Sequence, residues 1–107
     1  MKIEYETENI RLFILEDIAT TRHYVRLKSN RQLRKDLDKV MRIMTTVRSC
    51  QELTQYKALN YEHLKYDLSG LSSVRLGFKT KFRLIFKETD KGIKINIIEI
   101  SEHYGDK

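Results

Sequence analysis

Proline is absent from this 107-residue chain, and cysteine occurs once, at Cys50. A single thiol excludes an internal disulfide and supplies too little sulfur for a cysteine-rich metal site. Cys50 is expected instead to be buried as a small hydrophobe. No stretch approaches the roughly 20 apolar residues that span a bilayer. The opening MKIEYETENI has neither the basic start nor the apolar stretch of a signal peptide. The expected location is therefore the cytoplasm, with no membrane partner. There is also no internal repeat, low-complexity tract or linker, so residues 1–107 read as one domain, large enough for a single core but not for two. Apolar residues make up 40% of the chain, which together with its periodic segments indicates a folded rather than a disordered polypeptide.

What the sequence does have is unevenly placed positive charge, on a net of +6. Residues 22–48 carry nine cations, Arg22, Arg26, Lys28, Arg31, Arg34, Lys35, Lys39, Arg42 and Arg48, against two anions, Asp36 and Asp38. Residues 1–21 are net acidic. A basic surface of this kind attracts a polyanion at long range and makes binding salt-dependent. The plain alternative is a solvated helix face. Further cations at Arg75, Lys79, Lys81, Arg83 and Lys87 raise the weight of a nucleic-acid partner.

The apolar period divides the chain. Lys2 to Tyr5 alternates like a short strand. Thr7 can cap a helical stripe from Asn9 to about Val25, built on Ile10, Phe13, Ile14, Ile18 and Val25, with Thr20 and Thr21 able to break it. Ser29 or Asn30 can cap a second helix reaching Arg48, in which Leu33, Leu37, Val40, Met41, Met44 and Val47 face inward and the arginines outward. Ser49 and Glu52 have capping-box spacing before a turn over Gln51 to Tyr56. Beyond it the period falls to two. Tyr61–Leu64, Ser72–Phe78, Lys81–Lys87 and Gly92–Ile100 read as strands, separated by Asp67–Gly70, a tight Lys79-Thr80 turn and Asp90–Gly92. Helices first and sheet second predict an α+β domain.

Among those strands lie Glu62, Lys65, Arg75, Arg83, His103 and Tyr104. Cleaving RNA through the ribose 2′-OH without a metal requires a base for the hydroxyl proton, positive charge around the phosphorane and an acid for the leaving 5′-oxygen. A carboxylate aimed at the hydroxyl is a weak base yet contributes about 10²–10⁴-fold. An imidazole can deliver a proton near neutrality, and a guanidinium offers a permanently charged fork to phosphate oxygens. Taken singly, each residue has a plainer explanation. Glu62 can pair with Lys65 or Arg83 in a surface salt bridge worth under about 1 kcal/mol. Arg83 can be a surface strand residue, and His103 a solvated one. His63 alternates away from Glu62 as a bystander, and His23 has no partner legible in sequence.

Taken in order, Glu62-His63-Leu64-Lys65-Tyr66-Asp67-Leu68-Ser69-Gly70, Ser73-Val74-Arg75, Phe82-Arg83-Leu84-Ile85-Phe86 and Glu99-Ile100-Ser101-Glu102-His103-Tyr104 resemble the RelE/ParE toxin superfamily. The likeness is to its ribosome-dependent mRNA interferases of the YoeB and HigB types. It covers residues 61–104, while residues 1–60 resemble the longer helical half of HigB-like members in layout. The resemblance implies N-terminal helices packed on a small, mainly antiparallel sheet, the RelE-like microbial RNase toxin fold. It also implies the toxin of a type II toxin–antitoxin pair that cuts mRNA in the ribosomal A site by metal-free acid/base catalysis, with no cofactor.

By the same resemblance Glu62 is the general base, Arg83 steadies charge on the scissile phosphate, and His103 and Tyr104 supply the acid and orient the reacting groups. Lys65 and Arg75, with Lys79 and Lys81, hold the RNA backbone. Arg31, Arg34, Lys35, Lys39 and Arg42 grip ribosomal RNA. The implied partners are the ribosome, mRNA and a neutralising HigA-like antitoxin with a helix-turn-helix domain, so that DNA enters only through the antitoxin. Two departures stand out: seven residues separate Arg75 from Arg83, longer than the usual hairpin, and Glu102 precedes His103-Tyr104 where many HigB-type chains end in Asp-Tyr-His. Which ring donates the proton stays open. A ParE-like poison of DNA gyrase, or a non-catalytic RNA-binding module of the same fold, are the alternatives.

Overall fold

Thr7 starts the first helix, its hydroxyl accepting from the Ile10 amide at 3.3 Å. From there α1 (Glu8–Glu16) turns Ile10, Phe13 and Ile14 inward and stops at Asp17, whose left-handed φ of 55° lets its N–H reach the Leu12 and Phe13 carbonyls. The computed structural model describes residues 1–65, 69–77 and 80–102. The helical stripe expected from Asn9 to Val25 is broken at the two threonines: Thr21 Oγ1 accepts from Tyr24 N and caps a separate α2 (Arg22–Lys28).

Asn30, rather than Ser29, caps α3 (Arg31–Thr46), its Oδ1 accepting from Leu33 N at 3.0 Å. Leu33, Leu37, Val40 and Met44 are its buried stripe. The helix ends two residues before the expected Arg48. Thr45 and Thr46 turn their hydroxyls back onto the Met41 and Arg42 carbonyls, and Val47 leaves in an extended conformation. The capping box at Ser49 is not made. A 3₁₀ helix covers Cys50–Gln55 without a side-chain cap from Ser49, and Glu52 instead accepts from the Arg48 amide at 3.2 Å.

The strands are β1 (Lys2–Tyr5), β2 (Glu62–His63), β3 (Ser72–Arg75), β4 (Arg83–Thr89) and β5 (Lys94–Ser101), in the spatial order β1-β5-β4-β3-β2. β1 runs parallel to β5 and the other neighbours are antiparallel. The α+β expectation therefore holds, with one parallel edge. β3 is shorter than expected, although Leu76 N still bonds the Phe82 carbonyl at 3.1 Å. Lys79, half of the expected tight turn, lies outside the described residues. Asp90, Lys91 and Gly92 make the last turn with φ of 52°, 56° and 86°.

Helices cover one face of the sheet. Val74, Leu84, Phe86, Ile95, Ile97 and Ile100 meet Ile10, Phe13, Leu27, Leu37 and Met44 in a continuous core. The opposite face is closed at its centre, so that Arg83 is not a surface strand residue: Ser73 is 0% exposed, Ile85 3% and Arg83 9%. Among the described residues no helix is long and apolar enough to cross a membrane.

One side chain departs from simple helical periodicity. Arg34, expected outward, reaches back to the end of α1, donating from Nη2 to Phe13 O at 2.6 Å and Asp17 Oδ1 at 2.9 Å and from Nη1 to Ile14 O at 3.3 Å. Its guanidinium also lies over the Phe13 ring, 4.8 Å from the centroid. It thus satisfies carbonyls that a helix end otherwise leaves unpaired. Arg34→Met should lower stability by about 2 kcal/mol in urea unfolding, whereas the exposed Lys35→Ala should stay within about 0.5 kcal/mol.

Cys50 is buried as expected, and burial, with the nearby Glu88 carboxylate, pushes its thiol up to about 12. Tyr24 is likewise pushed up to about 12, chiefly by burial. Folding therefore favours the protonated forms. Their contribution is intact below the unfolded values, and is lost as the pH climbs from the thiol's ordinary 9.0 toward about 12. At pH 8 the folded protein should react with iodoacetamide roughly 10³-fold more slowly than the urea-unfolded chain.

Candidate functional site

Glu62 and Arg83 meet on the sheet face opposite the helices. Register fixes this: Glu62 pairs with Ser73, Ser73 with Ile85, and Arg75 with Arg83. Directly paired residues project to the same side. Arg83 Nη2 lies 3.9 Å from Glu62 Oε1, with the carboxylate side chain 45% exposed and the guanidinium side chain 11%. The arginine is held from two more directions. Its Nε donates to Ser73 Oγ at 2.8 Å and its Nη2 to the Asn60 carbonyl at 2.7 Å. Asn60 presents that carbonyl from a left-handed conformation, φ 44°, directly after the 3₁₀ turn Lys57–Leu59. Asparagine is among the few residues that take this geometry readily.

The same face carries Arg75, half-buried and paired directly with Arg83. Two guanidinium side chains opposed across a strand pair repel one another. Glu62 is a carboxylate beside Arg83. β5 reaches this row at Ser101, the register partner of Arg83. Lys65, just past β2, and Lys81, just before β4, are exposed. His103, Tyr104 and Lys79 lie outside the described residues. Among the described residues no group of three His, Cys, Asp or Glu side chains is placed to hold a metal ion.

The helical cations divide into two sets. Arg31, Lys35, Lys39 and Arg42 are exposed along α3, at spacings of four, four and three that put them on one stripe opposite the buried leucines. Arg34 is occupied at the end of α1. α2 packs toward the end of β5: His23 Nε2 donates to the Ile100 carbonyl at 2.8 Å, and Arg26 pairs with Glu102 at 3.3 Å. Those partners were not legible in sequence. Nor were Ser73 and Asn60 as acceptors for Arg83, although an asparagine before a strand and a serine inside one are both signals of backbone or side-chain hydrogen bonding.

No protein-family model matches the sequence, and no curated protein matches it either. Solved structures do. A YoeB/ParE toxin from Agrobacterium tumefaciens superposes with a TM-score of 0.56 over 97% of this chain and 100% of its own, at 16% identity. The YoeB dimer from Staphylococcus aureus gives 0.51 over 97% and 98%, at 18% identity. The chain has the YoeB/ParE toxin fold. Within that fold, this sequence gathers a fixed cation, a second arginine and a half-exposed carboxylate on the face away from the helices. The Ser73 hydroxyl is central to that arrangement. Ser73→Ala should destabilise the protein by about 2 kcal/mol in urea unfolding, because it strips an acceptor from a buried charge, while Lys87→Ala stays within about 0.5 kcal/mol.

Proposed function

We propose that the protein is the toxin of a type II toxin–antitoxin pair, a ribosome-dependent endoribonuclease that cuts mRNA in the A site through the 2′-OH. The observation that carries this reading is the approach of Glu62 to Arg83 at 3.9 Å, with Arg75 directly opposite on the same face. In the proposed reaction Glu62 takes the 2′-hydroxyl proton and the oxygen attacks the adjacent phosphorus. Arg83 and Arg75 hold the phosphate oxygens as negative charge builds, and His103 or Tyr104 protonates the departing 5′-oxygen. Products are a 2′,3′-cyclic phosphate and a free 5′-hydroxyl. Side-chain cations supply the electrostatic role, without metal or cofactor.

Supporting the acid assignment, β5 brings the chain level with Arg83 at Ser101, two residues before His103. Lys65, Lys79 and Lys81 are proposed to bind the RNA backbone, and the α3 stripe of Arg31, Lys35, Lys39 and Arg42 to dock on ribosomal RNA. Arg34 adds charge there only from its place at the α1 terminus. The protein acts in the cytoplasm and is neutralised by a HigA-like helix-turn-helix antitoxin, through which alone it meets DNA.

Primer extension on mRNA translated in a reconstituted system tests this reading. Wild type should give codon-linked cuts. Glu62→Ala should slow them by about 10²–10⁴-fold, and Arg83→Ala by about 10²–10³-fold. His103→Ala should also reduce cutting. Loss of gyrase supercoiling without any cuts would favour the gyrase-poisoning alternative, and neither effect would favour the non-catalytic module.

A further inference from the structure

We infer that Glu88, Tyr61, Ser72 and His63 form a clamp behind the sheet that sets the aim of Glu62, acting as positioning residues. The inference rests on the proposed role of Glu62 as general base. Its starting point is mechanical. β2 is a two-residue strand at the sheet edge, paired with Ser72 and Ser73. So short an edge strand opens easily when held by backbone bonds alone.

Side chains alternate along extended backbone, so residues 61 and 63 project to the side opposite Glu62. Both converge on one carboxylate. Tyr61 Oη donates to Glu88 Oε2. Ser72 Oγ donates to the same oxygen at 2.6 Å. His63 Nδ1 lies 3.1 Å from Ser72 Oγ and 3.6 Å from Glu88 Oε2. A hydroxyl has one proton, and that of Ser72 goes to Glu88, so His63 Nδ1 carries the hydrogen that reaches Ser72. The Tyr61 ring lies parallel to Phe86 with centroids 6.4 Å apart, and edge-on to His63 at 5.4 Å. Burial and the Glu88 carboxylate push the Tyr61 phenol upward, which keeps it a donor.

The residues on either side of Glu62 are thus tied to β4, the strand that also carries Arg83. Base and cation share one frame: Glu88 fixes β2 from behind, and Arg83 stands on the other face of the same strand. A clamp built this way lets the carboxylate stay near water while its backbone is held.

Two variants of the full chain, Tyr61→Phe and Glu88→Gln, test this with two readouts. Amide hydrogen exchange without substrate should quicken by about tenfold or more at Leu64, whose N–H bonds Leu71 O at 2.9 Å, with β4–β5 amides unchanged. Single-turnover cutting of ribosome-bound mRNA should slow by about tenfold or more at unchanged ribosome affinity, and Tyr61→Phe should cost nothing further in a Glu62→Ala background. Unchanged exchange at Leu64 overturns the clamp. Faster exchange with an undiminished cutting rate, or an equal Tyr61→Phe loss without Glu62, overturns the positioning role. Should Glu88→Gln not fold, Tyr61→Phe carries both readouts. A wild type that makes no cuts overturns the cleavage reading instead, and the two failures are separable because exchange needs no activity.

Discussion

A guanidinium cannot shed its proton, so a chain that buries one to 9% exposure must surround it with acceptors. Among the described residues Arg83 finds them in two segments: the Asn60 carbonyl and the Glu62 carboxylate at the start of β2, and the Ser73 hydroxyl on β3. Each segment is thereby tied to β4. The helix-covered side of the sheet is organised by apolar burial, and this half is organised by one charge. The partners are not equivalent. Ser73 and Asn60 are close and fixed, whereas Glu62 is 3.9 Å away and half in water, a geometry worth less than about 1 kcal/mol as an ion pair. The cation is therefore rigid and the carboxylate retains freedom to turn.

Arg75 faces Arg83 directly, with the Glu62 carboxylate near the latter. Under the proposed function a phosphodiester entering this row would meet both guanidinium groups. The exposed stripe on α3 acts over a different range. Charges in water are screened beyond about 8 Å at physiological salt, so under the proposed function the stripe would serve encounter and docking with a large polyanion, while contact chemistry would fall to the sheet. The net charge of +6 would serve both steps.

Much of the fold was legible in the sequence because it depends on neighbours a few residues apart. Thr7, Thr21 and Asn30 cap helices within three residues, and the Phe82–Phe86 alternation shows directly which side of β4 meets the helices. The misses are long-range. Arg34 is aimed at α1 by a contact twenty residues away, which helical periodicity does not encode. The core positions of β5, Ile95, Ile97 and Ile100, break the period of two because a bulge leaves Ile98 between the partners of Ile85 and Phe86. His63 is indeed turned away from Glu62, but away from Glu62 means toward Ser72 and Glu88, and only strand register reveals that. The Glu62–Arg83 approach matches the motif order, whereas the acceptors that fix Arg83 belong to no motif.

Ser72 and Ser73 make the sharpest conflict between local preference and use. A central, buried strand favours β-branched and aromatic residues, and two consecutive serines at 2% and 0% exposure forgo that packing. Their alternation explains the choice. Ser73 faces the cation side and accepts from Arg83, while Ser72 faces the helix side and joins Glu88 to His63. A valine at either place would bury more carbon but take a hydrogen bond from a charged group beside it, and losing a hydrogen bond to a charge costs about as much as one side chain's packing returns. Local rules are broken where a site needs them broken. In this sheet one dipeptide serves both faces, and the hydroxyls that bond Glu88 and Arg83 are therefore neighbours in sequence.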